Sequence, residues 1–173
     1  MLKLRQSRWK AMIRPCTLYL FLSLLVCMPS PSQTKLSAQD HQRLMSYINT
    51  YNSMKLLADP LVQPQLAHLM GAQISHLKRN LNVAGPIGVS SEMLTFSGNA
   101  PHQGMEENGF LGVSLYNGEV YACLLTKGKF EVYGKEKQYN FLPDAVRQWI
   151  EATWARLQLG IKDPPNVVLH PAR

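Results

Sequence analysis

Cysteine is scarce in this chain: it has three, and Cys16 and Cys27 lie in a segment that reads as a leader. With that segment gone only Cys123 is left, so no intramolecular disulfide can staple the fold and an apolar core must hold it. Acidic residues are missing before Asp40, whereas Lys3, Arg5, Arg8, Lys10 and Arg14 crowd the start. Residues 33–173 lack a strong excess of either sign. They carry 13 Lys plus Arg against 11 Asp plus Glu, a net of +2 where the whole chain has +7. So small an excess is no footprint for nucleic acid. Missing too are a glycine-rich phosphate loop, a histidine pair at metal-binding helical spacing, and an Asn-x-Ser/Thr acceptor after the leader. "GVSSE" and "GVSLY" each lack the second glycine that a strained nucleophile elbow requires. No cofactor and no metal are expected.

The start of the chain is the most informative stretch present. After the basic residues comes "TLYLFLSLLVCM", an apolar run of 12 residues, and then "PSPSQ". A basic n-region, an apolar h-region and a small-residue site make a secretory signal peptide. A spanning helix needs roughly 20 apolar residues, so no stable membrane span is expected after cleavage. The boundary is placed at residues 1–32, with Met12 as an alternative true start. A periplasmic or secreted protein follows. A lipoprotein anchored at Cys27 is the competing reading, although Val26 stands where its processing wants a small residue.

The remainder reads as one α+β domain over residues 33–162 and a tail over 163–173. "SAQD" from Ser37 has the spacing of a capping box, and Leu44, Ile48 and Tyr51 follow on one helical stripe. Asp59-Pro60 separates that helix from a second with Val62, Leu66, Leu69 and Met70 inward, which Gly71 ends. A third short helix carries Ile74, Leu77 and Leu81. A small antiparallel sheet of about four strands, a meander, follows Gly88. "EMLTFSG" puts Leu94 and Phe96 on one face and Met93 and Thr95 on the other. Asn117-Gly118 signals a two-residue hairpin turn, which sets Cys123 opposite Gly112. At "TKGK" a three-residue loop keeps Glu131 off the apolar face. A C-terminal amphipathic helix with Val146, Trp149, Ile150, Thr153 and Leu157 inward packs on the sheet, and Gly160 stops it. In outline the chain is similar to small exported bacterial proteins in which helices precede a short antiparallel sheet. That outline contributes no site residue.

Three groups of side chains are candidates for function. Cys123 lies mid-strand between Ala122 and Leu124, a setting that suits packing better than reactivity. His102, Glu106 and Glu107 fall in "NAPHQGMEENG", an aperiodic stretch from Asn99 to Gly109 that is long for a hairpin connection. Loops on a rigid sheet often carry binding residues, and this one offers two carboxylates and a histidine. Tyr116 and Tyr121 add rigid apolar area with a polar tip, which protein interfaces favour. Together these features point to an exported non-enzymatic binding protein of the envelope, recognising another protein as an inhibitor or immunity protein does. An envelope enzyme built on Cys123 or on the His102–Glu106 loop is one alternative. A carrier of a small ligand or lipid, with a pocket between helix and sheet, is the other.

Overall fold

The computed structural model describes residues 35–104, 106–157 and 166–172. The leader and the proposed stop at Gly160 lie outside the described residues. Helices α1 (Ala38–Met45), α2 (Ser53–Leu57), α3 (Gln63–Met70) and α4 (Ile74–Asn80) come first. Strands β1 (Val83–Ala84), β2 (Gly88–Ser90), β3 (Met93–Asn99), β4 (Glu107–Ser114), β5 (Val120–Thr126) and β6 (Lys129–Gly134) follow. Helix α5 (Asp144–Leu157) and strand β7 (Val167–Pro171) close the chain.

The α+β class is as the sequence predicts, but among the described residues the sheet has seven strands rather than about four. Its order is β1-β3-β4-β5-β6-β7, with β2 also pairing β3. Alternation along the strands builds two cores. Leu94, Leu111, Val113, Ala122 and Leu124 face Leu44, Leu56, Leu66 and Leu77 of the first four helices. Met93, Phe110, Cys123, Leu125 and Phe130 face Val146, Ile150 and Leu157 of α5. The sheet is thus buried on both sides, and this explains why β5 reads as a nearly unbroken apolar run.

Local chemistry sets the helix ends. Ser37 Oγ accepts from the Asp40 backbone N–H at 3.0 Å, as the capping-box spacing requires. The stripe through Leu44, Ile48 and Tyr51 does not continue as one helix. Helix α1 stops at Met45, Asn49 takes φ 60°, and Tyr51 is 74% exposed. The backbone of residues 49–50 pairs with Ile87 instead, through Asn49 N–H to Ile87 O and Ile87 N–H to Thr50 O, both 2.8 Å. A tertiary pairing therefore overrides local propensity. Asp59 is buried at the next break, where its carboxylate accepts from Arg43 (3.0 Å), Leu61 N–H (2.9 Å) and Tyr47 (3.3 Å).

Three features of the sheet differ from expectation. The β4–β5 connection is a four-residue turn over 115–118, with Gly118 at φ 74°, so Val113 pairs Val120 and Cys123 pairs Phe110. The slip is two residues and so leaves every side chain on its expected face. At β5–β6 the loop has two residues, Lys127 and Gly128, with φ 48° and 79°. Positive φ at both matches the twist of a tight hairpin. Glu131 consequently does face the Leu124 side. It is tolerated near the sheet's edge because Lys129 (2.8 Å) and the Tyr133 hydroxyl (3.3 Å) bond to it. Finally, the tail contributes a strand that the expected sheet did not include: β7 adds parallel to β6, with Val132 opposite Leu169.

Candidate functional site

The β3–β4 connection is shorter than the sequence predicts, because Asn99, Glu107, Asn108 and Gly109 are paired strand residues. Its first four residues make a β-turn, in which Gln103 N–H donates to Ala100 O at 3.0 Å. Pro101 occupies the second position and His102 the third, with His102 at φ 61°. Proline followed by positive φ is the pattern of a type II turn, whose third position ordinarily takes glycine. A histidine there bears backbone strain of about 1 kcal/mol. His102 is exposed, as are Pro101, Gln103 and Glu106.

The return arm is well bonded. Glu106 and Glu107 N–H both donate to Gln103 O, at 3.0 and 2.8 Å. Glu106 O accepts from Lys127 N–H of the adjacent hairpin at 3.1 Å, and Ala100 N–H donates to Glu107 O at 3.1 Å. An exposed, strained histidine therefore stands on a turn whose base is locked into the sheet.

The two carboxylates diverge. Glu106 points to solvent, whereas Glu107 is buried beneath α4. His76 Nε2 lies 2.6 Å from Glu107 Oε2, with Asn80 Nδ2 at 3.2 Å, Thr126 Oγ1 at 3.4 Å and Arg79 Nη2 at 3.5 Å. Burial pushes the Glu107 pKa up, but bonds from His76 and Asn80 and the charges of His76 and Arg79 outweigh it, and the result is lowered. A lowered carboxyl pKa stabilises the fold fully above the ordinary value of 4.5 and loses that contribution as pH falls through the folded value. The melting temperature is accordingly expected to fall as pH drops below about 4.5, and less steeply in Glu107→Gln. Melting curves across an acid series check this, and parallel slopes would contradict it.

The tyrosines are separated from the loop. Tyr116 is half exposed, but it sits in the β4–β5 turn at the far end of the eight-residue strand β4. At about 3.3 Å per residue that is roughly 23 Å from the β3–β4 loop. Tyr121 is buried on the α5 side, its hydroxyl donating to Glu136 at 3.3 Å, and burial first, then the Glu119 and Glu136 charges, push its pKa up. The hairpin that neighbours the loop is Lys127-Gly128.

Cys123 is fully buried, and burial pushes its thiol pKa far up, opposite to what a nucleophile needs. Cys123→Ala is expected to cost about 1 kcal/mol and to leave binding unchanged, which urea melts and a binding titration check. Loss of binding would point to a reactive role. Among the described residues no three His, Cys, Asp or Glu side chains come together as metal ligands. Among the described residues, buried side chains pack at both helix–sheet interfaces, and an open apolar groove of about 360 Å³ lies beside Gln65, His68 and Tyr121.

Residues 62–156, more than half of the chain, match the family described as Inhibitor of vertebrate lysozyme (Ivy). The chain belongs to the Ivy family. The match runs from just before α3 to the end of α5, so it takes in the strained turn, Glu107 with His76, and Cys123. Helices α1 and α2 and strand β7 fall outside it. No curated protein and no solved structure matches the chain. The Ivy family is one of protein inhibitors, which agrees with an inhibitor-type binding protein that recognises a protein partner. The loop's sequence marks His102 as a candidate but not the backbone strain it bears. The legible signal is "PH" at a turn where Pro-Gly is the ordinary choice. Asn108 and Arg156, which support the loop, lie 48 residues apart and leave no local signal.

Proposed function

We propose that this protein inhibits a vertebrate lysozyme by seating the Ala100–Gln103 turn in the enzyme's substrate cleft, with His102 at the point of contact. The observation that carries the reading is the strained, exposed position of His102. Asn49, Ser91, Glu92 and Lys127 also take positive φ, but at His102 that strain coincides with an imidazole exposed on a turn fixed at its base, and this combination points to a side chain kept for function. Family membership supplies the class of partner. Lysozyme cleaves sugars with two carboxyl groups, one protonated and one ionised, that flank the scissile bond. A neutral imidazole between them donates to the ionised carboxylate and accepts from the protonated carboxyl, and a protonated one adds charge complementarity. A turn fixed at its base arrives preformed, so little ordering entropy is lost on binding.

From the expected contact set this reading keeps His102 and Glu106. Glu107 serves from beneath, through α4. Tyr116 and Tyr121 lie too far or too deep for the same contact. Glu106 beside the turn would add attraction to a basic rim. Glu106→Lys is then expected to weaken inhibition roughly three- to tenfold at low salt and to flatten its salt dependence. Equal inhibition constants across a salt series would remove Glu106 from the interface. Export to the periplasm or beyond, as the leader implies, would put the inhibitor where a secreted lysozyme arrives. The reading is tested by titrating the purified protein into a vertebrate lysozyme hydrolysing cell-wall substrate. Stoichiometric inhibition is expected, and undiminished hydrolysis at a large excess of protein would overturn it.

A further inference from the structure

Asn108 is the second residue of β4 and is buried, although strand interiors disfavour asparagine. Its carboxamide Nδ2 donates to Gly104 O at 2.9 Å, and its Oδ1 accepts from Arg156 Nη2 of α5 at 3.1 Å. A guanidinium only donates and a carbonyl only accepts, so these two partners fix which way the amide faces. Its backbone O accepts from Asn80 Nδ2 of α4 at 3.1 Å, and that same Nδ2 also bonds to Glu107. The residue where the loop joins the strand is therefore held from α4 on one face and from α5 on the other. Its side-chain amide nitrogen reaches into the loop.

We propose that Asn108 is a positioning residue for the inhibitory turn. Its carboxamide pins the return arm at Gly104, and Arg156 holds that carboxamide with its donor toward the loop. The inference rests on the reading that the turn engages lysozyme. Without the bond to Gly104 the arm between Gly104 and Asn108 loses its side-chain anchor, and the Pro101–His102 turn must be ordered on binding instead of before it. Aspartate cannot replace asparagine here, since a carboxylate accepts from Arg156 but donates nothing to Gly104.

The experiment compares the full chain with Asn108→Asp and Asn108→Ala by two readouts, hydrogen exchange and lysozyme inhibition. Exchange at the Glu106 and Glu107 amides, which bond to Gln103 O, is expected to quicken roughly tenfold in both variants while β5 amides keep the parent rate. The inhibition constant is expected to rise by about the same factor. A rescue separates positioning from general damage. A Cβ on Gly104 would stand 3.7 Å from Asn99 Cβ, within the 3.5–4.5 Å a disulfide spans. Asn99→Cys with Gly104→Cys, added to Asn108→Ala, should restore inhibition when oxidised and lose it again on reduction. Parent-like exchange in both Asn108 variants overturns the inference whatever inhibition does. So does unchanged inhibition in them when His102→Gly has lost it. If His102→Gly inhibits like the parent, the lysozyme reading fails by itself, and exchange still decides whether Asn108 shapes the loop.

Discussion

Replacing His102 by glycine is expected to weaken lysozyme inhibition roughly 30- to 1000-fold, as loss of a central contact of 2–4 kcal/mol does. The same change should leave the fold as stable as before, or raise its stability by up to about 1 kcal/mol. Glycine takes φ 61° without the clash that a Cβ meets. Stability and function are thus predicted to move in opposite directions, which a purely structural role for His102 cannot produce. His102→Ala is the companion variant. It keeps the backbone strain, loses the imidazole, and should fail as an inhibitor without gaining stability. Thermal melts beside inhibition titrations give both quantities, and a glycine variant that inhibits like the parent would make His102 a turn residue only.

The second large effect lies in the core beneath α5. Phe130 is fully buried, with Trp149 edge-on at 5.8 Å and Trp154 at 6.3 Å between ring centres. Phe130→Ala removes the ring on which both tryptophans rest and is expected to cost about 3–5 kcal/mol. For a domain of this size that lowers the melting temperature by roughly 10–20 °C. Urea unfolding followed by tryptophan fluorescence measures it directly. A loss under about 1 kcal/mol would mean that α5 is not seated on β6 as described. Below the lowered melting point inhibition should stay close to the parent's, because the turn is bonded into β4 and the Lys127-Gly128 hairpin rather than into Phe130.

The two kinds of prediction draw on sequence signals of different strength. The inward face of α5 is readable from spacing alone: Val146, Ile150, Thr153 and Leu157 all prove buried. So are the two faces of β3 to β5, since period two survives even a register slip of two residues. Partners across the sheet are not readable, because a four-residue turn at 115–118 and a two-residue turn at Asn117-Gly118 satisfy the same pattern. Strand β7 escapes notice because "NVVLH" stands beyond a pair of prolines and pairs with a strand some 37 residues earlier in sequence. Long-range pairings of that kind carry no local signature. The site follows the same division. His102 and Glu106 stand out as polar residues of a long loop. The burial of Glu107 depends on His76, 31 residues away, and could not be read from the loop itself.

The proposed contact requires that this protein and an oligosaccharide compete for one cleft. Calorimetric titration of the protein into vertebrate lysozyme, free and then saturated with a non-hydrolysed cell-wall oligosaccharide, tests that claim. Competition predicts that the apparent affinity falls in proportion to the oligosaccharide concentration above its own dissociation constant, and that it falls along the same line for Glu106→Lys. An affinity unchanged by a filled cleft would contradict the account and move the contact to another face of both proteins.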